Sequence, residues 1–177
     1  MSQMIEIPNI QKKWTIQRFE NDAAYQAGKP TSVVDGEGNV LSAISVFEHN
    51  VMLNEGINNV LLPILCGTAT PAVYDSANAN LGVGNDDGDV AEDPTQTGLQ
   101  GSSTAFAVMD SGYPSVGYQT ATWKGTFGGT DANHDWKEFT VVNAGDDSGD
   151  NLNRRVSDQG TKVSGQTWVL TLEITFS

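Results

Sequence analysis

The chain is poor in the residues that build redox and metal sites. Its 177 residues include one cysteine and two histidines. A single cysteine excludes an intrachain disulfide, which fits assembly in a reducing compartment. No apolar run approaches the ~20 residues needed to cross a bilayer, and the N-terminus lacks the basic start and apolar core of a signal peptide. We therefore expect a protein that is made in the cytoplasm and has no membrane partner.

Positive charge is also scarce. Nine lysines and arginines stand against 22 aspartates and glutamates, which gives a net charge of −13. A surface of this kind repels phosphate backbones and anionic membranes on average. The sequence thus disfavours nucleic acid as a partner, and the acidity itself favours solubility.

The composition favours many short strands. Hydrophobic residues make up 38% of the chain, and there are 19 glycines among numerous Ser, Thr, Asn and Asp residues. Such residues are typical of turns, and a chain of this length is most often a single domain. We expect a mainly β protein, an antiparallel β-sandwich of jelly-roll type, instead of a helical bundle.

The clearest strands lie near the C-terminus. Apolar residues alternate with polar ones in two segments, 120–128 and Gln166 to Phe176. A period of two places successive side chains on opposite faces, which predicts half-buried antiparallel strands. The residues expected on the buried faces are Ala121, Trp123, Gly125 and Phe127 in the first segment, and Trp168, Leu170, Leu172, Ile174 and Phe176 in the second.

Earlier segments complete the predicted domain. The first plausible strand runs from Trp14 to Glu20, and the residues between Thr31 and Phe47 indicate a hairpin that turns at 35–39. Further strands are expected at Asn80 to Gly84, at 104–110 and from Trp136 to Asn143. We divide the chain into an extended N-terminal arm, residues 1–13, and one sandwich domain, residues 14–177.

One short helix is predicted near 54–66. Apolar residues recur there at steps of three and four, and Gly67 can end the helix. Pro63 removes a hydrogen bond and clashes with the preceding turn, so the helix is expected to kink or stop near Leu62. The apolar stripe is interpreted as core, and Cys66 as a buried small hydrophobe. The stripe consists of Leu53, Ile57, Val60, Leu61, Ile64 and Leu65.

Two acidic loops invite a metal-binding hypothesis. The first resembles the start of a calcium loop at Asn85, Asp87 and Asp89, but Val90 stands where glycine is needed and Gln96 where a bidentate glutamate is needed. We interpret it as a solvated loop between strands. The second acidic turn spans Asn143 to Asn151. No metal and no cofactor is predicted.

Catalytic patterns are thin. A Ser-His-Asp arrangement would need His49 or His134, and no serine lies in a nucleophile-elbow context. We predict no catalytic residues and no enzyme, while a glycosidase-type pair of carboxylates stays open because its test is spatial separation. Of the four tryptophans only Trp136 has polar neighbours, so a glycan-binding module that stacks a sugar on an exposed Trp136 is a further alternative.

A series of short words resembles a family of small structural proteins of tailed bacteriophages, found in head decoration, collar, baseplate and tail-fibre pieces. The words run from HNVMLNEGINNVLLPILCG through LGVGND, TQTGL, MDSGYP, TWKGTFG, ANHDWKEF and LNRRV to GTK and TWVLTLEITF, and cover roughly residues 49–176. The family word around Asn133 usually carries Glu where this chain has Asp131. The resemblance implies a virion component without catalytic activity.

The expected location is the outer surface of the phage head. There a decoration, or cement, protein would bind the major capsid protein as a dimer or trimer and stabilise the shell. The alternative is a tail, collar or baseplate component bound to other virion proteins. An extended arm could add a strand to an exposed capsid edge, where main-chain hydrogen bonds supply affinity. The residues predicted to bind the partner are Ile5, Ile7, Pro8, Ile10, Lys12 and Lys13.

Overall fold

Two five-stranded antiparallel sheets dominate the computed structural model, which describes residues 10–86 and 88–177. The chain is mainly β, as the composition and the alternation predicted. The strands are β1 (Ile10–Phe19), β2 (Val33–Val34), β3 (Val40–Leu41), β4 (Ile44–Glu48), β5 (Val51–Met52), β6 (Asn80–Gly84), β7 (Thr104–Val108), β8 (Ser115–Gly117), β9 (Thr120–Phe127), β10 (Glu138–Val142), β11 (Asn153–Val156) and β12 (Thr167–Phe176). The helical elements are α1 (Asp22–Gln26), a π-helical segment (Gly56–Leu61) and α2 (Leu62–Cys66).

Sheet 1 has the strand order β4-β1-β12-β9-β8. Its centre is the pair β1 and β12, which runs antiparallel from Ile10 opposite Phe176 to Phe19 opposite Thr167. The predicted alternation holds on its inner face, where Trp123, Phe127 and the β12 residues up to Ile174 are buried. The C-terminal strand is thus built into the middle of a sheet.

Strand β1 begins four residues before the predicted start at Trp14. Ile10, Lys12 and Lys13, which were assigned to the arm, lie in the sheet and pair with Phe176, Ile174 and Glu173 of β12. Residues 11–13 are all polar, so the sequence shows no alternation that would predict a strand there. The strand forms because β12 offers a backbone partner to every residue of β1 from Ile10 to Phe19. Ile5, Ile7 and Pro8 lie outside the described residues.

Sheet 2 has the order β5-β11-β10-β6-β7. Every residue of β6 and β10 is buried, so both faces of these strands are covered. The inner face packs on sheet 1, where the Phe139 ring lies 5.7 Å from that of Trp14 between centroids. On the outer face, the side chain of Glu138 accepts hydrogen bonds from the backbone of Gln100 and Gly101. The loop that follows β6 therefore forms a third layer over part of sheet 2.

The predicted helix is present, and it continues past Leu62 to Cys66. Pro63 lies in the first turn of α2, where a missing N–H is tolerated, and the turns before it are the wider π type. Gly67 ends the helix in the left-handed conformation, with φ 63°. The helix therefore does not stop near Leu62, but its hydrogen bonding changes there from π turns to α turns.

The apolar stripe of this helix is only partly core. Leu53 and Val60 are fully buried, whereas Ile64 and Leu65 are 45% and 79% exposed. Cys66 is exposed as well, so its predicted burial was wrong. A π turn contains more residues than an α turn. Side chains spaced three or four residues apart therefore rotate away from the core along the helix, and the last ones, Ile64 and Leu65, are exposed.

The predicted hairpin forms between β2 and β3, where Val33 pairs with Leu41 and Val34 with Val40. The Asp35 carboxylate accepts hydrogen bonds from the backbone N–H groups of Glu37 and Asn39, which holds the turn. The hairpin ends sooner than predicted, because β4 leaves it and pairs with β1. Within the described part of the chain, no helix has the length and hydropathy to span a membrane.

Candidate functional site

The end of sheet 1 at which the described chain begins brings together the predicted partner-binding residues that the structure describes. Ile10, Lys12 and Lys13 line a shallow cleft of about 450 Å³ there. Residues 1–9 join the body at this point. The other lining residues are Gln11, Glu48, His49, Asn50, Thr120, Glu173 and Thr175.

The charges around this cleft are balanced. The Lys13 ammonium group forms an ion pair with Glu173, and Lys13 also lies opposite Glu48 in the register between β1 and β4. Burial lowers the pKa of Lys12 from its ordinary value. Although the chain is strongly acidic, its cleft combines two lysines with two glutamates, so an acidic or neutral protein surface can approach it.

Exposed apolar side chains lie at the same end of sheet 1. Phe176 is 47% exposed, Val116 is 81% exposed, and Tyr118 is fully exposed. The backbone N–H of Phe176 donates to the carbonyl of Gln119, which ties the end of β12 to the turn between β8 and β9. With Ile10, which pairs with Phe176, these residues form what we call the terminal patch: Ile10, Val116, Tyr118 and Phe176.

The first acidic loop is mostly exposed between residues 88 and 97, as the prediction of a solvated loop required, but both of its ends are anchored. Asp86 is 1% exposed, and its carboxylate lies 3.3 Å from Nη2 of the buried Arg154. Arg154 Nε donates to Glu138 Oε2 at 2.8 Å, and Nη1 donates to the carbonyl oxygen of Val90. The buried pair of Arg154 and Glu138 thus holds both ends of the loop against sheet 2.

A calcium site is not formed by the residues that the structure describes. No group of three or more His, Cys, Asp or Glu side chains is placed to hold a metal ion in residues 10–86 and 88–177. Asp87, the middle residue of the calcium-like sequence, lies outside those residues. The carboxylates of Asp86, Glu92 and Asp93 instead accept hydrogen bonds or form ion pairs within the loop and with β11.

A second cleft, of about 460 Å³, surrounds the buried side chain of Arg18. Arg18 Nη1 donates to Ser42 O and Ser45 Oγ, and Nη2 donates to Gln159 O. The guanidinium carbon also lies 4.5 Å from the ring centroid of Trp168. Burial lowers the pKa of Arg18 to about 10, so it stays charged near neutral pH. Its role is to tie β1 to the segment before β4 and to the 157–161 loop.

The acids of this second cleft also have local structural partners. Asp35 holds the β2–β3 turn, Asp158 accepts a hydrogen bond from the Gly160 N–H, and Asp135 accepts one from the Thr161 hydroxyl. A carboxylate that is already engaged in this way stabilises the loops around it. The geometry therefore gives these acids a structural use.

Trp136 is fully buried, so the exposure that the glycan-binding alternative requires is not present. Its indole N–H donates to the carbonyl of Ala132, and its ring packs edge-on against Phe127 and Trp168. The polar neighbours on which that alternative depended form the turns on either side of the tryptophan. Trp136 therefore has no free face on which a sugar ring could stack.

Sequence reasoning missed the buried charges Arg18, Glu138 and Arg154. It also missed the exposure of Val116, Tyr118 and Phe176 in the terminal patch. For Arg18 a signal existed, because the alternation that turns Trp14 and Ile16 inward turns Arg18 inward too. For Tyr118 the signal was weaker. Tyr118 lies in the short turn between β8 and β9, and side chains in such turns usually face the solvent.

Comparisons with protein-family models, with curated proteins and with solved structures gave no match to this chain.

Proposed function

We propose that this protein is a non-enzymatic structural component of a tailed-phage virion that acts as a head decoration, or cement, protein. In this proposal it binds the major capsid protein on the outer surface of the shell and stabilises it. The observation that carries the proposal is the terminal patch, where exposed apolar side chains meet the point at which residues 1–9 join the body.

Exposed apolar residues grouped at one end of a soluble domain are typical of a protein interface. At the terminal patch, an aromatic residue such as Tyr118 or Phe176 supplies a large contact area and loses little conformational entropy on binding. The cleft beside the patch has balanced charge, so desolvation of unpaired acids does not oppose docking. A capsid surface with apolar pockets is the kind of partner that fits these features.

Strand β1 is paired on both sides, which suits a strand that continues into a capsid-binding arm. The segment that would grip the capsid continues directly into β1, which pairs with β12 over ten residues and with β4 on its other side. A pull on residues 1–9 is therefore opposed by two ladders of hydrogen bonds in shear. A decoration protein held in this way transmits the grip of its arm to the whole sandwich.

The first test measures capsid disruption by heat or by a chelator, with and without the added protein. We expect the decorated shells to withstand a higher temperature than bare shells. Equal disruption temperatures for the two samples would reject cementing.

The second test removes residues 1–9, which leaves β1 complete from Ile10. We expect the truncated protein to keep its circular dichroism spectrum and its unfolding midpoint but to lose at least tenfold in shell occupancy. Tyr118→Ser should weaken docking as well, because this side chain is fully exposed and contributes little to the fold. Val108→Ser, at a valine that is 73% exposed on β7, is the matched control and should dock normally. Normal occupancy by the truncated form would contradict a gripping arm.

A further inference from the structure

Strand β4 is an edge of sheet 1 whose outward backbone groups have no partner among the described residues. It pairs with β1 on one side only, and Arg18 N donates to Ala43 O at 2.8 Å just before the strand. Because antiparallel pairs alternate between hydrogen-bonded and non-bonded positions, Ser45 and Phe47 turn their backbone groups toward β1. Ile44, Val46 and Glu48 turn theirs outward.

The side chains on this edge do not protect it. Ile44 is 49% exposed and Val46 is 59% exposed. Natural edge strands are usually blunted by short length, charge, proline or a bulge. Strand β8 has three residues and β5 has two. Strand β7 has five, but the chain directly after it is tied to β9 by the bridge between Met109 and Gly125. Strand β4 also has five, with Glu48 as its one charge and no proline. An edge of this kind is suited to pairing with another strand.

We propose that β4 of one copy pairs antiparallel with β4 of a second copy, around a twofold axis at Val46. The two β4-β1-β12-β9-β8 sheets would then form one continuous ten-stranded sheet, twice the five strands of one copy. A twofold axis places the same strand of two copies side by side and antiparallel, and twofold symmetry is the commonest symmetry of soluble oligomers. This inference does not depend on a place in a virion, and its test needs only the purified protein.

Charge and hydrogen bonding select the same register. With Val46 opposite Val46 of the second copy, Ile44 lies opposite Glu48, and all three outward residues of each strand form ladder bonds. The two Glu48 side chains are then four residues apart along the ladder, about 14 Å at ~3.4 Å per residue, beyond a Debye length of ~8 to 10 Å. A shift that brings Glu48 opposite Glu48 would place like charges together and lose ladder bonds.

The surroundings of the edge favour a second copy despite the net charge of −13. Glu48, the one charge on β4, lies opposite Lys13 on β1, whose ammonium group is paired with Glu173, so the edge itself brings a single carboxylate from each copy. A single strand pair buries less than the ~1,200 to 2,000 Å² of a stable interface. The neighbouring hairpin can enlarge the contact, because Val34 is 52% exposed and Val40 is 75% exposed.

The test is the mass of the full-length protein by sedimentation equilibrium at micromolar concentrations. We expect a dimer of twice the 18.9 kDa chain mass. Val46→Lys places two ammonium groups opposite each other at the axis and should give a monomer, with an unchanged circular dichroism spectrum because Val46 is exposed. Val116→Lys, at a valine on β8 that is 81% exposed against 59% for Val46, is the control and should stay dimeric.

A cross-linking experiment tests the register and does not depend on how well Val46→Lys folds. In a Cys66→Ser background, Val46→Cys should form an intermolecular disulfide under mild oxidation, since opposed residues of a hydrogen-bonded pair have Cα atoms about 5.5 Å apart. Val116→Cys should not. A monomeric wild type, a dimer that persists in Val46→Lys, or a dimer without the Val46→Cys cross-link would overturn the proposal. A monomer that still docks on shells would leave the proposed function standing.

Discussion

Buried charge is the residue-scale feature that most shapes this molecule. Arg154 and Glu138 are both fully buried, and the loop after β6 is held by their ion pair. Removing two charges from water is costly, and it is offset only when each charge keeps its partners. The pair is therefore better understood as the device that fixes the loop in one position than as a large net source of stability.

Arg154→Met should destabilise the protein strongly. It leaves the carboxylate of Glu138 buried without its cation and Asp86 without its partner, and breaking such pairs typically costs about 3 to 5 kcal/mol. Urea unfolding measures the change. Lys13→Met, which removes an ion pair that is 47% and 32% exposed on its two sides, is the control and should cost at most about 1 kcal/mol. Equal effects of the two substitutions would contradict the structural role of the buried pair.

Asp147 should make the stability of the protein depend on pH. Burial, and then the nearby charges of Glu138 and Glu55, raise the pKa of Asp147 to about 6. The folded state then holds this proton where the unfolded state releases it, so this group's contribution to the free energy of unfolding falls as pH rises from about 4 to about 6. Asp147→Asn should be close to wild type at pH 4 and more stable by about 1 to 3 kcal/mol at pH 7.

The neighbouring Asp146→Asn is the control for that pH experiment. Hydrogen bonds from Ser148 lower the pKa of Asp146, so its carboxylate favours the folded state above its pKa. Asp146→Asn should therefore give no gain as pH rises. Chemical denaturation of the wild type and the two variants between pH 4 and pH 7 measures the free energy of unfolding of each. A stabilisation by Asp146→Asn at pH 7 as large as that by Asp147→Asn would contradict the assignment of the raised pKa to Asp147.

At the scale of elements, alternation was a good guide where one face of a strand meets the core and the other meets water. This holds for β9 and for β12 from Leu170 to Ile174. It fails at the ends of β12, where Phe176, predicted on the buried face, is 47% exposed and Val169, on the other face, is buried. It could not reveal that β6 and β10 are covered on both faces, because the covering loop is acidic and looks solvated in sequence. Burial of Asp86 depends on Arg154 in β11, a contact between distant segments that a local pattern does not record.

The helix near 54–66 shows a different limit. Its extent follows from the apolar residues and from Gly67, but the π turns follow from contacts outside it. Gly56 lies against the segment just before β11, where an added Cβ would come within 2.6 Å of Leu152 Cα and 2.7 Å of Asn151 O. A close approach to another backbone cannot be read from the spacing of apolar residues.

Gly56→Ala tests that close approach. Alanine is the better helix former by about 1 kcal/mol, yet here we expect a loss of about 1 to 3 kcal/mol, because backbone atoms must move to admit the methyl group. Gly145→Ala, where an added Cβ meets nothing within 4 Å, is the matched control and should be nearly neutral. Thermal unfolding measures both variants. A stabilised Gly56→Ala protein would show that the helix does not pack as described.

At the scale of the whole molecule, three features lie on one scaffold. The sandwich core joins its two sheets through aromatic residues, the pair of β1 and β12 forms the centre of sheet 1, and the first acidic loop is held over sheet 2. The fold class was predictable because the composition favours short strands joined by turns and because alternation marks strands that bury one face. The terminal patch was not, because it depends on which strand ends meet.

The measurement that tests the central claim most directly is the copy number and radial position of this protein in purified phage particles, by quantitative mass spectrometry and electron microscopy. The account predicts copies in proportion to the capsid subunits, with density on the outer surface of the head. A few copies confined to the tail or collar, or no copies in the particle at all, would contradict it.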